Sequence, residues 1–230
     1  MPPKIMGHRG AKALEPENTL RSIRRALDLG VQAVEIDVHL SRDGHLMVMH
    51  DATVERTTGG TGRVDQMSRE ELRRLDAGLG EKIPTLDEVV GLVGARAQLF
   101  IEMKDPGAVE TLAAFMANGE LFDRAWVISF WHPALQELHV LEPRIRTGVL
   151  FVGCPVDPPA LAQAAQAQAL VLNYQYVTPA LVQSARRAGL SVAVWNIDTV
   201  ADLEPVLPLE LDYIGSNRPD ILLNYLQAGK

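Results

Sequence analysis

The sequence predicts an α/β chain folded as a (β/α)8, or TIM, barrel, on three observations. Short apolar runs alternate with helix-period segments from one end of the chain to the other. Most of these runs are continuous rather than alternating apolar and polar, as in parallel strands covered on both faces. The length of 230 residues suits one such barrel, here read as a single domain over 1–230.

The candidate strands are 4–7, 33–38, 46–50, 98–104, 125–130, 147–151, 169–172, 191–196 and 213–216. The third is one more than a barrel needs. Asp43-Gly44 marks a turn ahead of it, so it reads as a hairpin-like extension of the second strand. The helices between the strands carry their own punctuation. Asn18 or Thr19 caps a helix whose Leu20, Ile23 and Leu27 share a face, and Gly30 ends it. Ser68 with Glu71, and Thr85 with Glu88, form capping boxes. Asp157-Pro158 and Thr178-Pro179 each place an N-cap before a proline at the first helical position. Leu181, Val182 and Ala185 then face the core, and Gly189 stops that helix. Residues 52–82 are polar and glycine-rich around Thr57-Thr58-Gly59-Gly60, and read as a short insertion on one rim.

Composition narrows the function classes. A net charge of -7 argues against a general nucleic-acid or membrane-surface binder, because anionic surfaces repel it. It leaves room for a small phosphate ester held by a local Arg and Lys. Cys154 is the one cysteine, so neither an intrachain disulfide nor a cysteine zinc site is expected. No apolar leader core and no run of about 18 apolar residues is present, so stable membrane insertion is not expected and the cytoplasm is the expected location.

Glu35 and Asp37 lie two apart on a predicted strand, which points both side chains to one face. Their Cα atoms are then roughly 6.6 Å apart. Glu102 sits near the end of the next main strand and can reach the same space. Three converging carboxylates repel, and a divalent cation relieves that. All-oxygen ligation suits Mg²⁺, Ca²⁺ or Mn²⁺ better than zinc. The competing reading is that these carboxylates pair with Arg or Lys on neighbouring strands. His8-Arg9-Gly10 follows the first strand and His50-Asp51 follows the extra one, so both histidines fall on the carboxylate rim. Two histidines can serve as base and acid, and the Arg9 fork suits phosphate oxygens. Lys104 points the same way as Glu102. His39 reads as a turn residue, His45 as solvent-exposed, His132 as part of a helix start and His139 as lying within a helix.

These residues, in their order, resemble the glycerophosphodiester phosphodiesterase family. The matching stretches are His8-Arg9-Gly10, Pro16-Glu17-Asn18-Thr19, Glu35-Ile36-Asp37-Val38, Asp43-Gly44, His50-Asp51, Arg56-Thr57-Thr58-Gly59-Gly60 and Ile83-Pro84-Thr85-Leu86. Glu102-Met103-Lys104, Ser129-Phe130 and Trp195 complete the set. The resemblance implies a (β/α)8 barrel with an insertion after the second strand. It implies that Glu35, Asp37 and Glu102 bind one divalent cation, that His8 and His50 do acid/base work, and that Arg9, Lys104 and Trp195 hold the substrate and its phosphate. Glu17 and Asn18 would support the site from behind, with helix capping an equally good reading for Asn18. The chain departs from the family's usual residues at Asn196 and Asp198, and at Ser216 and Asn217. Those positions are expected to touch the pocket wall, not the histidines or the carboxylates.

The expected chemistry is hydrolysis of a glycerophosphodiester to sn-glycerol 3-phosphate and choline, ethanolamine, glycerol or inositol. The rivals are a lysophospholipase D or phospholipase C-like enzyme and, in another class, a non-catalytic phosphoester-binding barrel. Oligomeric state is left open.

Overall fold

The computed structural model describes residues 2–228. The chain runs β1 (Lys4–His8), α1 (Leu20–Leu29), β2 (Ala33–Leu40), β3 (Leu46–Val48), α2 (Arg69–Arg73), α3 (Leu86–Val93) and β4 (Gln98–Met103). It continues with α4 (Val109–Asn118), β5 (Ala125–Ser129), α5 (His132–Leu141), β6 (Arg146–Phe151), α6 (Pro158–Ala164) and β7 (Ala169–Asn173). The last elements are α7 (Pro179–Arg187), β8 (Ser191–Trp195), α8 (Val200–Leu203), β9 (Tyr213–Ser216) and α9 (Pro219–Ala228). All strands but β3 pair in parallel, and β1 pairs with both β9 and β2. That closes an eight-stranded parallel barrel with helices outside it. β3 hangs on β2 as the antiparallel arm of a hairpin, with Leu40 opposite Leu46.

The local signals act as elementary chemistry requires. Thr19, not Asn18, caps α1 by accepting from the Ser22 N–H, and Gly30 ends it in the left-handed region. Both capping boxes form, as do the Asp157 and Thr178 caps ahead of their prolines. Leu181, Val182 and Ala185 are buried. Residues 52–82 carry a 3-10 turn and α2, and pack Val54, Val64 and Leu72 against Met47, Met49 and Ile83 in a small separate core.

Side chains fill the barrel in layers, as in other barrels of this type. Strand parity sends Met6, Ala33, Phe100, Trp126, Ile128, Leu150, Val171 and Tyr213 inward, and they form a cluster separate from the larger one between sheet and helices. Phe100 stacks on Trp126 with ring centroids 5.8 Å apart and meets Tyr213 edge-on at 4.8 Å. Gly148 keeps this layer tight: a Cβ there would lie 3.1–3.2 Å from Val171, Ala169 and Ile128. The same parity sends Glu35, Asp37 and Glu102 into the barrel above the apolar layer, near the strands' C-terminal ends. No described helix is long and apolar enough to cross a membrane. Phe100→Ala is expected to destabilise the fold by about 3–5 kcal/mol, because it leaves a cavity among rigid rings. Chemical denaturation measures this, and a loss below about 1 kcal/mol would contradict the packing described.

Candidate active site

β1 ends at His8, and the chain then turns sharply. Arg9 adopts φ +51° and Gly10 φ +85°. A side chain at Gly10 would put its Cβ 2.5–2.7 Å from Ser22 and Ile23 at the start of α1, so glycine is required there. The turn is held by Ser22, whose hydroxyl donates to the Arg9 carbonyl and accepts from the Ala11 N–H, both at 2.9 Å. It aims Arg9 into the barrel mouth, where little of the side chain is exposed.

Register then sets the carboxylates. His8 lies opposite Glu35 across β1–β2, and Asp37 opposite Glu102 across β2–β4. One oxygen from each of Glu35, Asp37 and Glu102 lies within 4.8 Å of the others. All three are buried. Arg9 serves two of them: its N–H donates to Glu35 at 3.0 Å and its Nε lies 3.2 Å from Asp37 Oδ2. Lys104 Nζ donates to Glu102 at 2.7 Å and lies 3.6 Å from Asp37. Asn18, at φ +57°, donates through Nδ2 to Asp37 at 2.8 Å and accepts from the Asp37 N–H at 3.3 Å. Its side chain therefore holds a carboxylate while its neighbour Thr19 does the capping. Both proposed partners of the carboxylates, cation and Arg/Lys, are thus compatible with the geometry. Glu35 Oε1 and Asp37 Oδ1 are nonetheless buried with no hydrogen-bond partner. Unpartnered hard oxygens on converging carboxylates fit a divalent cation such as Mg²⁺, Ca²⁺ or Mn²⁺.

Electrostatics show the same shortfall of positive charge. Burial, with Asp37 and Glu102 nearby, pushes the Glu35 carboxyl well above the usual carboxylate range. Burial and Asp37 push Glu102 up to about 7, against the pull of Lys104. Burial also works against ionised Asp37, but Arg9, Lys104, His50 and Asn18 outweigh it and hold its pKa low.

The two histidines have different supports. His8 Nδ1 lies 2.7 Å from Asn217 Oδ1. Asn217 in turn donates its N–H and its Nδ2 to the two oxygens of Asp198, each at 2.7 Å. A carboxylate only accepts, so Asp198 fixes the amide orientation, and the Asn217 oxygen then requires a proton on His8 Nδ1. The bare Nε2 faces Glu35 at 3.8 Å. The expectation that Asp198 and Asn217 touch only the pocket wall is therefore wrong: Asn217 grips a histidine, and Asp198 grips Asn217. His50 Nδ1 instead meets the Asp51 carboxylate at 2.6 Å. Arg56, from the segment 52–82, spans Asp51 and Glu17 with paired bonds of 2.5–3.1 Å. Glu17 also takes Arg9 Nη1 at 2.7 Å. Burial disfavours the Glu17 carboxylate, yet Arg56 and Arg9 hold its pKa down at about 2.

His39 departs from its expected turn role. It lies within β2, buried, and its Nε2 meets the His50 carbonyl at 3.0 Å, so it steadies the segment that carries His50. His132 bonds the Leu150 carbonyl at the start of α5, and His139 lies within that helix. His45 is half-exposed.

His8, Arg9, Glu35, His50, Glu102, Lys104 and Trp195 line one cavity of about 120 Å³. Asp37 does not line it, being fully buried behind Arg9 and Lys104. Glu17 and Asn18 likewise stand outside the lining. The far wall is apolar, with Met6, Ile128, Phe130, Leu150 and Val171 beside Trp195. Sequence reasoning gave Asp51 and Arg56 no role at the site and placed Asp198 and Asn217 on the pocket wall without a link to His8. Asp51 and Arg56 sat inside matching motifs, whereas Asn217 lies 209 residues from His8, and nothing local linked the two.

Burial, reinforced by Arg9, lowers the His8 pKa to about 4 despite the Asn217 bond. The folded ring thus binds a proton more weakly than an unfolded one at about 6.5. This group therefore costs stability as pH falls from 6.5 through 4. In cation-stripped protein, imidazole NMR is expected to show His8 neutral down to about pH 4 with its proton on Nδ1. A midpoint near 6.5, or an Nε2–H tautomer, would contradict this.

The profile of the "Glycerophosphoryl diester phosphodiesterase family" matches residues 8–221. A Caldanaerobacter subterraneus protein described as a glycerophosphodiester phosphodiesterase is 34% identical, over 98% of each chain. A solved glycerophosphodiester phosphodiesterase from Agrobacterium tumefaciens superposes with a TM-score of 0.85 at 31% identity, covering 96% of this chain and 99% of that one. An Oleispira antarctica phosphodiesterase, solved with the product sn-glycerol-3-phosphate, gives a TM-score of 0.89 at 27% identity, covering 98% and 97%. Matches of this extent, on a barrel whose C-terminal mouth gathers these carboxylates, cations and histidines, place the chain in the glycerophosphoryl diester phosphodiesterase family as an enzyme of that family.

Proposed function

We propose that the chain hydrolyses glycerophosphodiesters to sn-glycerol 3-phosphate and a free alcohol such as choline, ethanolamine, glycerol or inositol, with one divalent cation at Glu35, Asp37 and Glu102. The observation that carries this reading is the convergence of three buried carboxylates, two of them with unpartnered oxygens, at a cavity lined by Glu35, Glu102, Arg9, Lys104 and both histidines, with Asp37 directly behind it. A bound cation would neutralise the charge that builds on the phosphoryl oxygens. Arg9 and Lys104 are the protein's own cations at the cavity and hold the phosphate there. Arg9 is already pinned by Glu17 and Asp37, so it needs little reorganisation. Trp195 walls the remainder of the substrate.

The histidines divide the proton work through their different supports. His8 presents a bare Nε2 to the cavity side and suits the base that takes the proton of the nucleophile, which is water itself or the glycerol 2-hydroxyl, whose cyclic phosphate a water then opens to sn-glycerol 3-phosphate. His50 rests on the Asp51 carboxylate, which orients the ring; burial, with Arg9 and Lys104 nearby, still holds its pKa below the ordinary imidazole value, against the pull of Asp37 and Asp51, and it is assigned as the acid that protonates the leaving alkoxide as the P–O bond breaks. Glu17 and Asn18 act through Arg9 and Asp37, and Asn217 through His8.

Glycerol 3-phosphate release from glycerophosphocholine tests this reading. Chelation with EDTA is expected to abolish release, and Mg²⁺, Ca²⁺ or Mn²⁺ to restore it. Activity that survives complete cation removal would overturn the metal role. His8→Ala and His50→Ala are each expected to lower turnover by about 10²–10⁴-fold. Near-wild-type turnover in either variant removes that residue from the proton chemistry. Tight binding of glycerophosphocholine without turnover in the wild type would instead support the non-catalytic alternative.

A further inference from the structure

The end of the barrel where the strands begin carries a layer that the phosphodiester chemistry does not use. In a barrel of this type each inner layer takes one side chain from each alternate strand. The parity that turns Met6, Phe100, Gly148 and Ala193 inward does the same, two residues earlier, to Lys4, Gln98, Arg146 and Ser191. These four rest on aromatic rings. The Arg146 guanidinium lies 4.8 Å from the centroid of Trp126, and Lys4 Nζ 5.1 Å from that of Tyr213. Gln98 Oε1 accepts from the Tyr213 hydroxyl at 2.7 Å and from Trp126 Nε1 at 3.3 Å, which leaves its Nε2 to donate. Ser191 adds a hydroxyl. The layer thus offers two cations, an amide donor and a hydroxyl, and contains no acidic residue. Arg146 Nε and Nη2 are buried with no hydrogen-bond partner among the described residues. Buried donors are ordinarily paired with protein, water or an ion. The acids just ahead of β6 and β9 are engaged elsewhere. Glu142 takes Arg144 with bonds of 2.7 and 2.9 Å, and Asp212 takes Arg186 and the Val192 N–H. Asp123, ahead of β5, is exposed.

We infer that this end of the barrel binds a small tetrahedral oxyanion such as inorganic phosphate, held by Arg146, Lys4, Gln98 and Ser191. β1, β4, β6 and β8 alternate around the barrel, so their donors converge on its axis from different sides. A tetrahedral ion accepts from several directions at once, whereas a carboxylate accepts best near its own plane. Arg146 and Lys4 supply charge-assisted bonds, the stronger kind. Both already lie over aromatic faces, so less ordering remains to be done when the ion arrives. Lys4 is exposed, and Gln98, Arg146 and Ser191 are half-buried, so the layer opens to solvent. The net charge of -7 does not oppose binding, because the layer itself carries only positive charge. The stacked rings of Phe100, Trp126 and Tyr213 separate this site from the catalytic cavity, so its ligand is independent of the phosphodiester reaction.

Indole ¹H–¹⁵N NMR reads the two ends of the barrel separately. Of the three tryptophans, Trp126 lies against Arg146, Trp195 lines the catalytic cavity and Trp131 is exposed. Phosphate is titrated into the full chain at a constant ionic strength of about 0.1 M, made up with sodium chloride so that screening stays fixed. The Trp126 resonance is expected to move along a saturating curve. Arg146→Gln and Lys4→Gln are each expected to raise the Kd read there by about tenfold or more, and Arg146→Lys, which keeps the charge, by less. The Trp195 response and glycerophosphocholine turnover should stay as in the wild type. Lys4 is exposed, so its variant keeps the test open if Arg146→Gln fails to fold. A Trp126 resonance that does not move, that drifts without saturating, or that saturates with the wild-type Kd in both variants would overturn the inference. Acetate at the same ionic strength is expected to bind about tenfold more weakly than phosphate. Equal binding of acetate would reassign the layer to a carboxylate, such as a partner's acidic side chain, and overturn the inference as well.

Discussion

Two carboxylates on one strand and a third on its neighbour cannot all be ionised in a buried space without cost, and most of what surrounds the cavity answers that repulsion. Arg9 answers it twice, with its backbone N–H on Glu35 and its guanidinium on Asp37. It can do so because the backbone leaves β1 through a left-handed residue and a glycine that no other side chain could replace. Lys104 answers it from β4's end, and Asn18 with neutral hydrogen bonds. The compensation is incomplete. Glu35 and Glu102 remain pushed upward while Asp37, with the most partners, is held down. The three carboxylates are thus unequally partnered, and Glu35 Oε1 and Asp37 Oδ1 remain buried without a hydrogen-bond partner.

Closure of the barrel is what makes the cluster possible. The β1–β2 pairing brings His8 opposite Glu35, and the β2–β4 pairing brings Glu102 opposite Asp37. A slip of one residue would turn the inward carboxylates out. Beneath them the stacked layer of Phe100, Trp126 and Tyr213 resists such a slip, because its side chains fill the barrel at fixed heights. The polar site therefore stands on an apolar floor that sets its register, and the repulsion above is borne by packing below.

Much of this was legible along the chain. Each strand was read to within two residues at either end, because continuous apolar runs between helix signals leave few alternatives. The antiparallel β3 arm followed from Asp43-Gly44. Glu35, Asp37 and Glu102 were legible because parity on a strand is a local property. His39 was misread because its place after Asp37 looked like a strand end, whereas β2 runs on to Leu40. Asp198 and Asn217 were misjudged for another reason. Each was read as a pocket-wall position, and only the tertiary contacts show Asn217 against His8 and Asp198 holding Asn217.

By itself, then, the sequence determined the barrel, the inward set of carboxylates, the histidines at strand ends and the family whose ordered motifs it carries. All of these rest on period, spacing or neighbouring residues. Only the tertiary structure decided what holds each histidine, which carboxylates lack a partner and how the cavity divides into a charged side and an apolar far wall. The reason is distance along the chain. Asn217 and His8 lie 209 residues apart, and Glu17 and Arg56 39 apart, and no local pattern records that folding brings them within hydrogen-bonding reach.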